Sequence, residues 1–324
     1  MCQTALITGI SGQDGIYLAE FLLARGYRVI GTARHADCAR LQFSSALIGQ
    51  LIVEEWDLLD QAKIFNLLAC HRPGEVYNLA AYSSGTGMYD NPADIGEING
   101  LAVTRILEAI RQTDKNIRFC QASSREIFGE AIESPQTENT FANPRSPYGA
   151  AKLYADAMVR IYRQRYGLFT CSAILFNHES PRRRQEFVTR KIAHAAASIK
   201  LGLSDELRLG SLDAQRDWGS VGDYVRAMWM MLQHTQPDDY IVATGEMHTV
   251  REFCEIAFRH VGLDYRDYVR EDKDAIRPNE PFPLVGCADK AKNVLGWSPQ
   301  IEFEQLVGMM VDADLTLLGA SLKQ

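Results

Sequence analysis

Apolar residues along the chain switch repeatedly between short unbroken runs and longer stretches of helical period, the pattern of strands buried on both faces and joined by helices. Ala5-Leu6-Ile7 reads as the first strand, and Ile16-Tyr17-Leu18-Ala19-Glu20-Phe21-Leu22-Leu23 as the helix after it. Residues 27–32, 51–58, 75–81 and 118–124 read as the next four strands, with a helix over about 59–70. Residues 95–112 predict one long helix, because Ile98, Leu101, Ala102, Ile106, Leu107 and Ile110 fall on a single stripe. Residues 130–147, rich in Pro, Asn, Ser and Thr without apolar period, form a loop that delivers Tyr148 onto a new helix. Residues 170–176 give a further strand, and 221–233, 239–245 and about 249–261 read as helix, strand and helix. Between 179 and 220 the alternation loosens into basic and polar segments.

The first strand runs into Thr8-Gly9-Ile10-Ser11-Gly12-Gln13-Asp14-Gly15. Gly9 permits a tight turn, Gly12 a close approach of backbone to a diphosphate, and Gly15 close packing of helix on strand. The helix start, with Gln13 and Asp14, then faces a dinucleotide whose phosphates rest on unpaired N–H groups. The alternative, a merely structural turn, is weakened by the second strand that follows at once. An NAD enzyme commonly carries an acid after that strand; here stands Ala33-Arg34-His35, so Arg34 points to a 2′-phosphate and hence NADP, unless it is only a surface arginine. The third strand ends in Asp57-Leu58, where such sheets meet adenine, and Leu79-Ala80-Ala81 ends the fourth with small residues across which a cofactor can lie. The expected fold is α/β, a Rossmann-type doubly wound parallel sheet with a smaller C-terminal α/β substrate lobe. Residues 1–178, with about 211–245 crossing back, would form the NADP-binding domain, and about 179–210 with 246–324 the substrate-binding lobe.

Composition narrows the function. At 324 residues and 46% hydrophobic content a sizeable core is expected, and a formal charge of −7 argues against a nucleic-acid or anionic-membrane surface. No apolar run has the length of a membrane span, and the N-terminus enters its first strand without a signal-peptide pattern, so a cytoplasmic protein is expected. Seven scattered cysteines, with no Cys-x-x-Cys pair and no metal-ligand spacing, read as reduced thiols; no metal is expected.

Tyr148 and Lys152 lie four residues apart, on one face of the helix that begins here. A nearby ammonium is expected to lower the phenol toward working pH, as removal of a sugar hydroxyl proton during hydride transfer requires. Tyr-x-x-x-Lys alone is common by chance, but with the glycine turn upstream and Ser124 at the end of the fifth strand it resembles the Ser-Tyr-Lys site of the short-chain dehydrogenases/reductases. Glu126, two residues beyond Ser124, adds a carboxylate that could take a proton from the carbon next to a new ketone and so permit loss of water. Its bland reading is a solvated glutamate.

At this point the chain resembles the GDP-mannose 4,6-dehydratases, within the extended short-chain dehydrogenase/reductases, over nearly its whole length. The likeness is carried by Ala5 to Gly15, Tyr77-Asn78-Leu79-Ala80-Ala81, Pro144-Arg145-Ser146-Pro147-Tyr148 and Leu175-Phe176-Asn177-His178-Glu179-Ser180-Pro181-Arg182-Arg183. It continues through Phe187-Val188-Thr189-Arg190-Lys191, Arg216-Asp217-Trp218-Gly219, Asp223-Tyr224-Val225 and Arg277-Pro278-Asn279-Glu280. The resemblance implies that His178 and Arg183 join Arg34 on NADP. It implies that Asn177, Val188, Lys191, Arg216, Arg277 and Glu280 hold a GDP-hexose, with Ser83 between cofactor and sugar, in a homodimer or homotetramer.

The implied reaction is transient oxidation at C4 by Tyr148, Lys152 and Ser124, elimination of water across C5–C6 by Glu126, and return of the hydride to C6. Two departures stand at strand ends that should face the sugar. Where the family has Thr-Ser-Glu this chain has Ser124-Arg125-Glu126, and after Ala81 it reads Tyr82-Ser83-Ser84-Gly85-Thr86-Gly87. They leave open another sugar or another reaction, unless Arg125 points outward. A 4-epimerase or 4-keto-reductase, in which Glu126 is dispensable, and a catalytically quiet nucleotide-sugar-binding paralogue are the alternatives.

Overall fold

The computed structural model describes residues 3–40, 42–83, 89–272 and 284–322. Its first half alternates strand and helix: β1 (Thr4–Thr8), α1 (Gln13–Leu23), β2 (Arg28–Ala33), the short α2 (Ala36–Arg40) and α3 (Ser45–Ile48), β3 (Leu51–Glu55), α4 (Gln61–His71) and β4 (Glu75–Asn78). A helix in three pieces follows, α5 (Pro92–Gly96), a π-helical turn (Glu97–Leu101) and α6 (Ala102–Thr113), and leads to β5 (Arg118–Ala122), α7 (Pro147–Tyr166) and β6 (Thr170–Leu175). Beyond it come β7 (Asn177–Glu179), α8 (Val188–Lys200), β8 (Leu207–Leu209), β9 (Gln215–Arg216), β10 (Trp218–Ser220), α9 (Val221–Gln233) and β11 (Tyr240–Val242). The last elements are β12 (His248–Thr249), α10 (Val250–His260), α11 (Tyr265–Tyr268), β13 (Val269–Glu271) and α12 (Phe303–Ser321).

Seven strands make one sheet in the order β11-β6-β5-β4-β1-β2-β3, every neighbour parallel. This is the doubly wound sheet the sequence predicts, and its order reverses between β1 and β4, the place where such sheets hold a ligand. The unbroken apolar runs have a direct cause. In β1, Ala5 and Ile7 face the layer containing α1 and α9, while Leu6 faces the layer containing α4, α6 and α7; all three are fully buried. A third apolar cluster joins α8, α10 and α12 through Ile192, Ala196, Phe253, Phe258, Val307 and Met310. Residues 284–297 lie against the large sheet, with Leu284 beside Phe176 and Ile241, and Trp297 beside α9, where its indole N–H donates to the Asp223 carbonyl at 2.9 Å.

Two differences from expectation have physical causes. The stripe over 95–112 is interrupted at Glu97–Leu101 because the buried Asn99 turns inward to bond the backbone beyond β4. Helix α8 falls in the segment whose period loosens, because a charged residue, Arg190, sits on its inner face beside Ala193 and Ala197. Arg190 is neutralised by the fully buried Asp314 of α12, an ion pair that hides the helix from an apolar-period reading. Among the described residues no helix is long and apolar enough to cross a membrane.

Candidate active site

The cradle forms where β1 turns into α1. Gly9 has φ +68°, and a Cβ there would lie 2.8 Å from the backbone of Ala80; a Cβ on Gly15 would lie 2.4 Å from the Gly9 carbonyl oxygen. Both positions therefore exclude side chains, and Gly12, the N-cap of α1, leaves the helix with no side chain capping its N–H groups. Thr8 ties the neighbouring strand end in place: its hydroxyl accepts from the N–H of Leu79 at 3.1 Å and of Ala80 at 3.0 Å, and donates to Asn78 at 2.6 Å. Asn78 donates onward to Gln121 at 2.7 Å, so a buried polar chain crosses β1, β4 and β5. Asn99 then fixes Tyr82 by accepting from its N–H at 2.8 Å and donating to its carbonyl at 3.2 Å. Arg34 is exposed directly after β2, Asp57 is exposed with its carboxylate accepting from Leu59 N–H at 2.9 Å, and Leu58 is half-buried. Ser83 is exposed, and its carbonyl accepts from Arg184 at 3.4 Å.

The first turn of α1 is bound to the chain after β6. Gln13 donates to the His178 carbonyl at 3.2 Å and accepts from Ser180 at 2.7 Å. His178 has one ring nitrogen 2.9 Å from the Asp14 carboxylate and the other 2.8 Å from the Phe176 carbonyl, and its ring stacks on Tyr224. Two oxygen acceptors favour the doubly protonated imidazole. Burial is the strongest influence on this ring and opposes the charge, yet Asp14 lifts it above the usual histidine range. Burial likewise works against the Asp14 carboxylate, but His178, Arg183 and Gln13 hold it below its ordinary value. Arg183 pairs with Glu179 at 3.2 Å and lies over the Phe187 ring at 3.6 Å.

Ser124 follows β5 and caps a 3₁₀ turn (Arg125–Ile127), accepting from the Glu126 N–H at 3.3 Å. Helix α7 starts opposite, with the Ser146 hydroxyl accepting from Gly149 N–H at 3.1 Å and Pro147 in the first position. Gly149 lets that helix end approach closely, since a Cβ there would lie 2.4 Å from the Glu126 carbonyl oxygen. Tyr148 is thereby set near Ser124, whose hydroxyl favours the phenolate, and within the field of Glu126. One turn on, the buried Lys152 ammonium donates to the Ala122 carbonyl at 2.8 Å and lies 5.7 Å from the centre of the Tyr148 ring.

The expectation that Lys152 lowers the phenol needs correction. Burial pushes Tyr148 well above its ordinary value; the Ser124 hydrogen bond pulls it back, Glu126 and Asp14 raise it, and the cation that lowers it is Arg183. Lys152 gives one of its three donors to the Ala122 carbonyl. Its own pKa is drawn down by burial to about 8, against the opposing charges of Asp156 and Asp14. Asp156, pushed up by burial to about 6, accepts from Ser123 at 2.5 Å. Because Asp156 helps to keep Lys152 protonated, Asp156→Asn is expected to move the alkaline limb of the kcat profile to lower pH. An unmoved limb in the pH–rate profile would count against this role.

Arg125 points inward. Its side chain is 7% exposed, its Nη2 lies 3.1 Å from Glu126 Oε1, and its Nε donates to Asn177 Oδ1 at 2.9 Å. Asn177 thus stands at the start of β7 beside the Glu126 turn. Val188 begins α8, which is anchored to the same region by a 2.6 Å hydrogen bond from Thr189 to the buried Glu179, and Lys191 is exposed one turn along. Arg216, on β9, donates to the Gln215 carbonyl at 2.6 Å. Arg277, Glu280 and the 84–87 part of the second departure lie outside the described residues. One neighbourhood therefore collects Gln13, Asp14, Ser124, Glu126, Tyr148, Asn177, His178 and Arg183. Sequence reasoning passed over Thr8, Asn99 and Asp156, although Asn99 interrupts an apolar stripe and Thr8 directly precedes the glycine turn.

A parallel sheet with a glycine turn after its first strand, and a Ser-Tyr-Lys set between β5 and α7, defines an extended short-chain dehydrogenase/reductase. The model of the GDP-mannose 4,6 dehydratase family matches residues 6–310, and the chain belongs to that family. It is 46% identical to GDP-mannose 4,6 dehydratase 2 of Arabidopsis thaliana, over 97% of this chain and 87% of the relative. With GDP-mannose 4,6 dehydratase of Drosophila melanogaster it shares 42% identity over 98% of this chain and 87% of the relative. The UDP-glucose 4-epimerase of Thermotoga maritima, solved with UDP-glucose, has the same fold: TM-score 0.85 at 22% identity, covering 98% of this chain and all of that one.

Proposed function

We infer that the protein converts GDP-mannose to GDP-4-keto-6-deoxymannose with a retained NADP. The observation that carries this reading is Glu126, whose carboxylate stands on the turn that Ser124 caps, in the field of Tyr148, while its backbone carbonyl lies on Gly149 at the start of α7. A 4-epimerase or 4-keto-reductase has no use for it. The glycine turn, the uncapped start of α1 and the close strand end at Leu79-Ala80-Ala81 fit a dinucleotide, whose phosphates would lie on that helix start. When bound, oxidised NADP would supply a cationic hydride acceptor for C4, and its reduced form the hydride donor for C6.

The chain's own residues move the protons. Tyr148 takes the 4-OH proton as its phenolate while the C4 ketone forms, the form that Ser124 and Arg183 favour against burial and that a bound cationic nicotinamide would favour further. Glu126 takes the C5 proton, now acidified by the adjacent ketone, and the electron pair becomes the C5–C6 double bond as the C6–O bond breaks. Glu126 returns its proton to the departing hydroxyl, which leaves as water. C5 is finally protonated from the site, where the proton held by Tyr148 balances the sum. With substrate deuterated at C4, the label should appear at C6 of the product; label lost to solvent would oppose the mechanism.

Arg34 supports NADP over NAD, because a guanidinium after β2 suits a 2′-phosphate. Arg34→Ala is expected to weaken NADP binding about ten- to a hundred-fold, the range of hydrogen bonds to charged groups, and to leave NAD binding nearly unchanged. Titration of cofactor-stripped protein with each nucleotide checks it. Arg183, His178, Asp57, Leu58 and Ser83 complete our cofactor assignment, and Asn177, Val188, Lys191, Arg216, Arg277 and Glu280 that of the GDP-sugar. Our division into 1–178 with about 211–245, and about 179–210 with 246–324, is supported by the separate α8/α10/α12 cluster, although residues 284–297 pack on the sheet side. A cytoplasmic homodimer or homotetramer completes the reading; exposed Leu101 and Tyr154, on neighbouring helices, suit a contact between copies.

A further inference from the structure

We propose that Arg125 is a positioning residue for the elimination step, a two-armed clamp that sets Glu126 and Asn177 in one frame; this rests on the dehydratase reading above. The guanidinium is buried, and its two arms go to groups on different elements. Nη2 meets Glu126 Oε1 at 3.1 Å within the 3₁₀ turn after β5, and Nε donates to Asn177 Oδ1 at 2.9 Å at the start of β7. A glutamate has three side-chain torsions, and without a partner its carboxylate samples many positions. Engaging Oε1 alone leaves Oε2 as the oxygen presented to the C5 proton. The planar guanidinium, with donors at fixed angles, fixes distance and direction together in a way an ammonium does not.

The neighbouring backbone is already immobile. Ser124 caps the turn at the Glu126 N–H, and Gly149 of α7 lies directly on the Glu126 carbonyl, so the side chain is the remaining freedom. Tyr148 directly precedes Gly149 on α7, and the group that most favours its phenolate is Ser124. Ser124 serves both Tyr148 and Glu126, whereas Arg125 supports only Glu126, the C5 base. Loss of the clamp should slow proton removal at C5 without slowing oxidation at C4.

The test compares Arg125→Ser and Arg125→Lys with the unaltered protein on GDP-mannose and on its C5-deuterated form, with products trapped by borodeuteride. Misplacement by about an ångström can cost on the order of 100-fold. Arg125→Ser should lower the turnover by roughly that factor, raise the C5 isotope effect on kcat, leave KM little changed, and release a trapped 4-keto sugar that still carries its 6-hydroxyl. Arg125→Lys, which keeps the charge and loses the fork, should fall between. If Arg125→Ser does not fold, Asn177→Ala removes one arm and should also raise the C5 isotope effect. An unchanged isotope effect with no undehydrated keto sugar in any folded variant overturns the clamp. Absence of dehydrated product with the unaltered protein would instead overturn the dehydratase reading itself.

Discussion

Tyr148→Phe is expected to lower kcat by about 10²–10⁴-fold, the usual contribution of a positioned acid–base group, with little change in KM. The phenol is the group that Ser124 and Arg183 pull toward its ionised form, and Phe removes only the oxygen through which proton transfer runs. Its effect on folding should be small, because a single hydrogen bond contributes about 1 kcal/mol. The loss should precede all later steps, so no 4-keto sugar of any kind should be trapped. Steady-state rates with calorimetric melting check both halves. A variant with near-normal turnover would remove Tyr148 from the chemistry, and one that melts far lower would make its role structural.

Glu126→Gln should be comparably damaging, about 10²–10⁴-fold on dehydration, but with a different signature. The amide oxygen still accepts from Arg125, so the turn should survive; what is lost is the base. Oxidation at C4 needs only Ser124, Tyr148 and Lys152. The variant should therefore yield a trapped 4-keto sugar with its 6-hydroxyl intact, and solvent deuterium should fail to enter at C5. Mass spectrometry of the reduced products reads both. Full dehydration by this variant would place the C5 base elsewhere.

The parallel sheet was legible because its strands are buried on both faces: Ala5, Leu6 and Ile7 are all fully buried and so form an unbroken run. The site was legible wherever its chemistry demands a residue type at a fixed spacing. Gly9 and Gly15 are required by close backbone approach, and Tyr148 and Lys152 by one helical turn. What escaped is decided by tertiary contact. The Asn99 hydrogen bonds to Tyr82 and the Arg190–Asp314 pair depend on residues distant in sequence, and each obscures the period of its own helix. The same holds for Lys152, whose spacing from Tyr148 suggested a partner for the phenol. Only the fold reveals that its ammonium donates to the Ala122 carbonyl. Arg125 could have pointed either way from sequence; the partners that turn it inward, Glu126 and Asn177, come from two elements.

The central claim, retained-cofactor dehydration of a GDP-hexose, is tested most directly by mass spectrometry of the purified protein incubated with GDP-mannose and no added cofactor, followed by borodeuteride trapping. The predicted result is loss of one water, about 18 Da by the stoichiometry of the elimination, with deuterium entering at C4. A product of unchanged mass, or one formed only when nicotinamide nucleotide is supplied in stoichiometric amount, would contradict it.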